Sequence, residues 1–161
     1  MYAEMEKQGM TLSEVVTLAS FVQEEAGNDQ DDNVAQVFRN RLAEGSPYSK
    51  LQSNTSSYVQ SDADNNYLWN WVAPYYGGWD SIPENIREAY DTYTCTGLSA
   101  GPISNPGIAA IRAALAPQPD DEAKDAYFFV TDLAGHYYYA RTYADHQKNC
   151  DEAAKVNKSL K

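Results

Sequence analysis

The sequence predicts an α+β domain in which helices pack on a small antiparallel sheet and long loops carry the function. Three observations predict it. Apolar residues recur at helical spacing in two early segments, between 11 and 27 and between 34 and 42. Two aromatic runs, 126–131 and 136–141, flank a turn sequence and read as a hairpin. Between these parts, residues 49–105 are rich in Ser, Asn, Tyr, Trp, Gly and Pro and only weakly periodic. Such a stretch inside a compact domain is functional or disordered, and its aromatic content points to ordered and functional. At 161 residues the chain is expected to be one domain, 1–161, long enough to bury a core.

Taken in order, the first helix begins at Thr11, where Thr11 and Glu14 have the spacing of a capping box, and runs to Gly27. Leu12, Val15, Val16, Ala19, Val22 and Ala26 form its single apolar stripe. A second helix follows the polar turn 28–32, turns Val34, Val37, Phe38 and Leu42 inward and stops at Gly45-Ser-Pro47. A short helix is expected at 83–89. A third full helix takes Asn105 as N-cap and Pro106 as its first residue, buries Ile108, Ile111 and Leu115, and ends at Pro117. The hairpin turns at Asp132-Leu-Ala-Gly135, and a last helix starts at Thr142 with Tyr143, His146 and Cys150 on related turns.

Composition excludes several function classes. Twelve basic against 23 acidic residues give a net charge of −11, without the basic footprint of a nucleic-acid binder or of a protein drawn to anionic lipid. No apolar run approaches the ~20 residues of a membrane span. The first seven residues lack the apolar centre of a signal peptide. Thirteen tyrosines and three tryptophans suit sugar binding, where ring faces stack on pyranose faces, and equally suit covering a core. Cys95 and Cys150 have no zinc spacing and are either one disulfide or two free thiols. His136 and His146 lie ten residues apart, outside i,i+4 metal spacing, and read as structural hydrogen-bonders. No metal and no cofactor is expected, since the chain lacks a nucleophile elbow, a phosphate-cradling loop and a dinucleotide fingerprint.

Chemistry is expected where the first helix ends, at Phe21-Val-Gln-Glu-Glu-Ala-Gly27. At about 100° per residue Gln23 falls within the apolar stripe, Glu24 faces water and Glu25 lies on the flank, one turn from Leu18 and Phe21. A carboxyl at the edge of an apolar face, in the last turn of a helix, is held protonated towards neutrality, as a general acid requires. The bland alternative is a surface glutamate on an acidic helix. Further along, Leu51-Gln-Ser-Asn-Thr55 offers amides and hydroxyls suited to sugar hydroxyls or N-acetyl groups. The Gly- and Pro-dense run 97–107 fixes a backbone path, and capping is the stronger explanation of Asn105.

These segments resemble the YceG-like family of endolytic murein transglycosylases. The resemblance rests on Leu18-Ala-Ser-Phe-Val-Gln-Glu-Glu-Ala26, Val34-Ala-Gln-Val-Phe-Arg-Asn-Arg-Leu42, Leu51-Gln-Ser-Asn54, Tyr90-Asp-Thr-Tyr-Thr94, the 97–107 run, Tyr127-Phe-Phe-Val130 and the stretch from Gly135-His136 to Asp145-His146, in family order. It implies a lytic transglycosylase that cuts the MurNAc–GlcNAc bond of peptidoglycan and leaves 1,6-anhydro-MurNAc ends, with a single glutamate as acid and base. The family pattern near the first helix, roughly Ala-Ser-Ile-Val-Glu-x-Glu, has two glutamates. The earlier is Gln23 here, so the resemblance and the helical geometry both point to Glu25 as the catalytic residue. The family's Leu-Gln-Thr-Asp block ends in Asn54 here, which favours a binding role at that position. Asn40, Arg41, Gln52, Asn54, Tyr93 and Asn105 are the candidates for gripping the glycan and its N-acetyl groups.

The stretch 58–84 is longer and more aromatic than the family's usual loop. Its rings, Trp69, Trp71, Tyr75, Tyr76 and Trp79, either stack on sugars or pack an insertion against the body. By resemblance the partners are peptidoglycan glycan strands and the cell-wall synthesis machinery. The resemblance also implies an extracytoplasmic catalytic domain, tethered to the membrane by an N-terminal anchor and preceded by a LysM-like subdomain, both outside this chain. The family has also carried the label aminodeoxychorismate lyase, but pyridoxal-phosphate chemistry needs a buried Schiff-base lysine, and the lysines here all sit in polar surroundings. A non-catalytic glycan-binding module is the rival reading, fed by Gln23 and Asn54.

Overall fold

A computed structural model describes residues 1–27, 29–53, 55 and 67–161. The elements are α1 (Tyr2–Gln8), α2 (Leu12–Glu25), α3 (Asp31–Leu42), a π-helical turn (Leu68–Val72), α4 (Ala73–Tyr76), a 3-10 turn (Trp79–Ser81), α5 (Glu84–Tyr90), α6 (Ile108–Leu115), α7 (Asp121–Lys124), β1 (Phe128–Thr131), β2 (Tyr137–Ala140) and α8 (Tyr143–Ser159). This is the α+β arrangement expected: helices packed with a two-stranded antiparallel sheet.

At the centre is α2. Its N-terminus carries the expected capping box: Thr11 Oγ1 accepts from the Glu14 amide at 3.2 Å, and Glu14 Oε2 accepts from the Thr11 amide at 2.7 Å. The single apolar stripe was too narrow an expectation. Val15 and Thr17 through Val22 are all buried, whereas Leu12 is 46% exposed. The cause is a cover on every side. Helices α3 and α6 pack against α2, and the 98–104 loop closes the remaining face. There the Ile103 amide donates to Ser20 Oγ at 3.0 Å and Ser104 Oγ donates to the Ser20 carbonyl at 3.0 Å.

Helix α6 corrects a second expectation. Asn105 is not its N-cap and Pro106 is not its first residue; the cap is Gly107 in extended conformation. The acceptor for the Gly107 amide comes from across the core, where Gln23 Oε1 lies 2.8 Å away. Gln23, expected within the apolar stripe, is exposed and performs this task. The buried face of α6 is Ala110, Ala113, Ala114 and Leu115, with Ile108 64% exposed. Leu115 and Ile111 turn inward as expected and Ile108 does not; the alanines beside them let the backbones of α2 and α6 approach closely. Helix α1, for which no element was expected, is stopped by Gly9 in the left-handed region and buries Met5 against Val15 and Leu115.

The hairpin pairs Phe128 with Ala140, Phe129 with Tyr139, Val130 with Tyr138 and Thr131 with Tyr137. Phe129 reaches into the core and meets Phe38 edge-to-face at 6.0 Å. Its turn is organised by Asp132, whose buried carboxylate accepts from the amides of Ala134 and His136, from Tyr138 Oη at 2.8 Å and from His136 Nδ1 at 3.1 Å. Burial opposes the charge, but the bonds from the His136 amide, Tyr138 and the His136 ring prevail and bring the carboxyl down to about 2. A depressed acid stabilises the fold above its unfolded pKa and loses that contribution as pH falls through its folded one. Asp132→Asn is therefore expected to lower Tm by several degrees at pH 7, with the gap to wild type closing between pH 4 and pH 2. Thermal melts across that range check it.

Candidate active site

Glu25 is the last residue of α2, and its surroundings come from three other places in the chain. Ser53 Oγ donates to Glu25 Oε1 at 2.5 Å. With its one proton so used, Ser53 accepts from Thr55 Oγ1 at 2.7 Å. Thr92, fully buried, fixes Ser53 reciprocally: its Oγ1 accepts from the Ser53 amide at 3.0 Å and donates to the Ser53 carbonyl at 2.7 Å. The third contribution is the hairpin, because Tyr137 Oη donates to the Glu25 carbonyl at 2.9 Å and accepts from the Gly27 amide at 2.8 Å.

Between Leu51 and Ser53 the backbone enters the left-handed region at Gln52, with φ 55°. For a non-glycine residue that costs on the order of 1 kcal/mol or more. Two bonds hold it: the Gln52 amide donates to the Thr92 carbonyl at 3.1 Å, and Gln52 Oε1 accepts from Arg41 Nη2. Arg41 is buried, and its Nε and Nη1 also donate, to the Lys50 carbonyl at 2.7 Å and the Tyr127 carbonyl at 2.8 Å. The Tyr48 and Phe128 rings cover its guanidinium at 4.9 and 5.3 Å. A cation with neutral oxygens and ring faces around it organises loop backbone from 41 to 127 without neutralising Glu25.

The result is a cleft of about 490 Å³ whose lining includes Glu25, Ser53, Arg41, Gln52, Tyr93, Phe128, His146 and Cys150. Burial pushes the Glu25 carboxyl above its ordinary range, and the Glu24 charge adds to this; the Ser53 and Thr55 hydroxyls pull the other way without cancelling it. Among the described residues lining the cleft, Glu25 is the only carboxylate. A larger hollow of about 760 Å³ lies near the start of α2; of its two carboxylates, Glu14 is spent in the capping box and Glu44 is exposed.

The structure thus brings Glu25, Arg41, Gln52 and Tyr93 together. It does not bring Asn40 to them. The Asn40 amide donates to the Lys124 and Ala126 carbonyls at 3.0 and 2.8 Å, tying α3 to the approach to β1. Asn105 is exposed in the loop before α6, outside the residues that line the cleft. Asn54 lies outside the described residues. Sequence reasoning missed Ser53 and Thr92, which gave no signal beyond ordinary turn composition. His146, expected as a structural hydrogen-bonder, instead stacks on Phe128 at 5.1 Å in the cleft wall, with its Nδ1 buried and without a hydrogen-bond partner among the described residues. His136, by contrast, is the structural hydrogen-bonder expected. Cys95 and Cys150 are free thiols. None of the lysines is buried, and the described residues contain no cluster of three or more metal-ligating side chains. Nor is any described helix long and apolar enough to cross a membrane.

A sequence model of the YceG-like family matches residues 1–152. Two relatives, each named endolytic murein transglycosylase, come from Streptococcus pneumoniae serotype 2 and Bacillus subtilis. The first is 32% identical over 155 residues, 94% of this chain and 25% of the relative. The second is 30% identical over 148 residues, 91% of this chain and 36% of the relative. The chain therefore spans only about a quarter to a third of their length. Among solved structures, a YceG-like protein of Listeria monocytogenes superposes with a TM-score of 0.58 at 27% identity, over 91% of this chain and 42% of that one.

The burial of Glu25 has a stability consequence. An acid whose folded pKa is raised lets the fold keep its full stability while protonated and costs stability as pH rises past the unfolded value, 4.5. Glu25→Gln removes that cost. It is expected to melt higher than wild type at pH 7.5, by about 2–4 °C for each kcal/mol removed, and to match wild type near pH 4. Calorimetry at the two pH values reads the difference.

Proposed function

We propose, since the chain belongs to the YceG-like family, that the Glu25 cleft cuts peptidoglycan glycan strands by lytic transglycosylation. In this reading the protonated Glu25 carboxyl gives its proton to the oxygen of the MurNAc–GlcNAc bond as the C1–O bond breaks. The C6 hydroxyl of the same MurNAc then closes on C1, and the Glu25 carboxylate takes the proton that this hydroxyl loses. The product ends in a 1,6-anhydro ring, no water is consumed, and Glu25 is returned protonated.

The observation that carries the reading is a half-buried carboxyl with a raised pKa, alone among the described groups of its cleft. Hydrolysis needs a second carboxylate to activate water or act as nucleophile. A reaction whose nucleophile is the substrate's own hydroxyl needs one group that is acid first and base second. The names of the two relatives agree with this chemistry. Ser53 matters to it as well, because its bond favours the charged form and keeps Glu25 from being locked as an acid that never returns as a base. Arg41 and Gln52 shape the floor against which the sugar lies, and Tyr93, 41% exposed at the cleft edge, is suited to contact it. As partners we propose peptidoglycan strands and the machinery that makes them, met on the outer side of the cytoplasmic membrane.

The rival reading, a binding module without turnover, draws on Gln23 and Asn54; Gln23 serves the α6 cap and does not line the cleft, and Asn54 lies outside the described residues. The two readings separate in one experiment. Purified glycan strands are incubated with wild type and Glu25→Gln, and the products are analysed by mass spectrometry. Anhydro-muramic ends are expected from wild type, with turnover falling at least ~10²-fold in the variant. Reducing ends would mean a hydrolase, and undiminished turnover in Glu25→Gln would sink the assignment.

A pH profile gives an independent check. Activity is expected to decline as pH rises through the raised pKa of Glu25. Ser53→Ala removes a bond that lowers that pKa, so its alkaline limb is expected at higher pH than wild type. An unmoved limb would assign the titration to another group.

A further inference from the structure

The segment 67–82 separates its aromatic rings into two sets. Trp69 and Trp79 pack on each other with centroids 5.2 Å apart, and Tyr76 is half-buried. Trp71 and Tyr75 stand further out, 73% and 82% exposed against 37% for Trp69, and the Tyr75 ring meets that of Tyr76 edge-to-face at 5.1 Å. They stand one turn apart where the winding passes from π-helical to α-helical, so their rings leave the same face. That face is held by what lies beneath it. Leu68 is fully buried, Ala73 and Ile82 nearly so, and Gly77 in the left-handed region, φ 85°, ends α4. Two large rings kept in water on an anchored helix mark a contact surface rather than a packing remainder.

The segment is joined to the cleft wall through one ring contact and a short run of chain. Tyr67, one turn before Trp71, lies with its ring 5.4 Å from that of Tyr90. Tyr90 leads directly into Asp91-Thr92-Tyr93, of which Thr92 clamps Ser53 and Tyr93 lines the cleft. At ~1.5 Å of rise per residue, Trp71 and Tyr75 stand about 6 and about 12 Å along the helix from the Tyr67–Tyr90 contact.

Charge decides the class of occupant. Between Lys50 and Arg87 the sequence contains no Lys, Arg or His, while Asp62, Asp64, Asp80 and Glu84 fall within the same stretch. Anionic lipid headgroups and nucleic acid are recognised by basic side chains and find none here. A neutral polymer of pyranose rings fits. Its C–H faces lie on aromatic faces, and its hydroxyls stay in water or reach the polar tips of tyrosine and indole. We propose that Trp71 and Tyr75 form an auxiliary glycan-binding platform that holds a strand beyond the sugars in the Glu25 cleft. The proposal rests on the reading of that cleft as a glycan site, and it makes strand length the property that the platform senses.

The test uses the Glu25→Gln chain, so that bound strands are not cut, with and without Trp71→Ala/Tyr75→Ala. Affinities are measured by calorimetry for long glycan strands and for a tetrasaccharide that fills only the cleft. Loss of the two rings is expected to weaken long-strand binding about tenfold and tetrasaccharide binding less than twofold. Trp71→Phe/Tyr75→Phe, which keeps ring faces, is expected to retain most of the long-strand affinity, and matching melts establish that all variants fold. Equal long-strand affinity with and without the rings would overturn the proposal. So would a ring-dependent co-sedimentation with phosphatidylglycerol vesicles unaccompanied by any change in strand binding, which would make the face a membrane contact. Failure of Glu25 as the acid is read separately, as cleavage persisting in Glu25→Gln, and the ring dependence is then read from initial cleavage rates on long against short strands.

Discussion

A helix that ends inside a protein leaves its last carbonyls without partners, and at the end of α2 the hydroxyl of Tyr137 supplies the missing donor. The same hydroxyl accepts the Gly27 amide, so one oxygen closes the helix and fixes the direction in which the chain leaves it. Much of the architecture hangs on this contact. It ties the hairpin to the central helix, and Phe129 on the paired strand then meets Phe38 of α3. It also sets where the Glu25 side chain stands, since the carboxyl is carried on the residue whose carbonyl Tyr137 holds.

The cleft is built so that one charge is disfavoured and another is tolerated. Glu25 faces hydroxyls, which stabilise an anion only modestly, and the surrounding protein withdraws water from it. Arg41 has planar delocalised charge, ring faces above it and carbonyl oxygens around it. These neutral partners keep Arg41 from forming an ion pair with Glu25, which would drive its pKa down and leave no proton to give. The strained Gln52 belongs to the same economy of positions: Arg41 and Thr92 hold it, and through Thr92 the hold extends to Ser53 and so to Glu25.

Elements with local signals were legible in the sequence. The Thr11 capping box, the Thr142 cap, the hairpin and the short helix after Pro83 depend on neighbours a few residues away, and each formed where the pattern placed it. Parts set by distant partners were not legible. Asn105 had the local appearance of a cap, yet the acceptor came from Gln23, 84 residues earlier. The α6 contact face is alanine, which carries little hydrophobic signal at any period. For the site, the residues with large or charged side chains, Glu25, Arg41, Gln52 and Tyr93, stood out and do share a cleft. Ser53 and Thr92 did not stand out, because a hydroxyl in a polar loop looks the same whether it faces water or a carboxyl. Asn40 failed as a site candidate for the converse reason. An amide on a helix looks available until tertiary structure places two carbonyls beside it.

The glutamine at position 23 follows from the same geometry. Its role is to offer an oxygen to the amide of Gly107, the N-cap of α6, and a carboxylate would offer the same oxygen, with a charge favourably placed at a helix N-terminus. Exchange between Glu and Gln at this position therefore changes the strength of a cap and leaves the cleft untouched. Position 25 has no such latitude. Its side chain meets Ser53 and Thr55 in a desolvated cleft, where an amide could accept the Ser53 proton but could neither give nor take one of its own. Positions 23 and 25, two residues apart on one helix, thus point about 200° apart, and only the side chain of Glu25 lines the cleft.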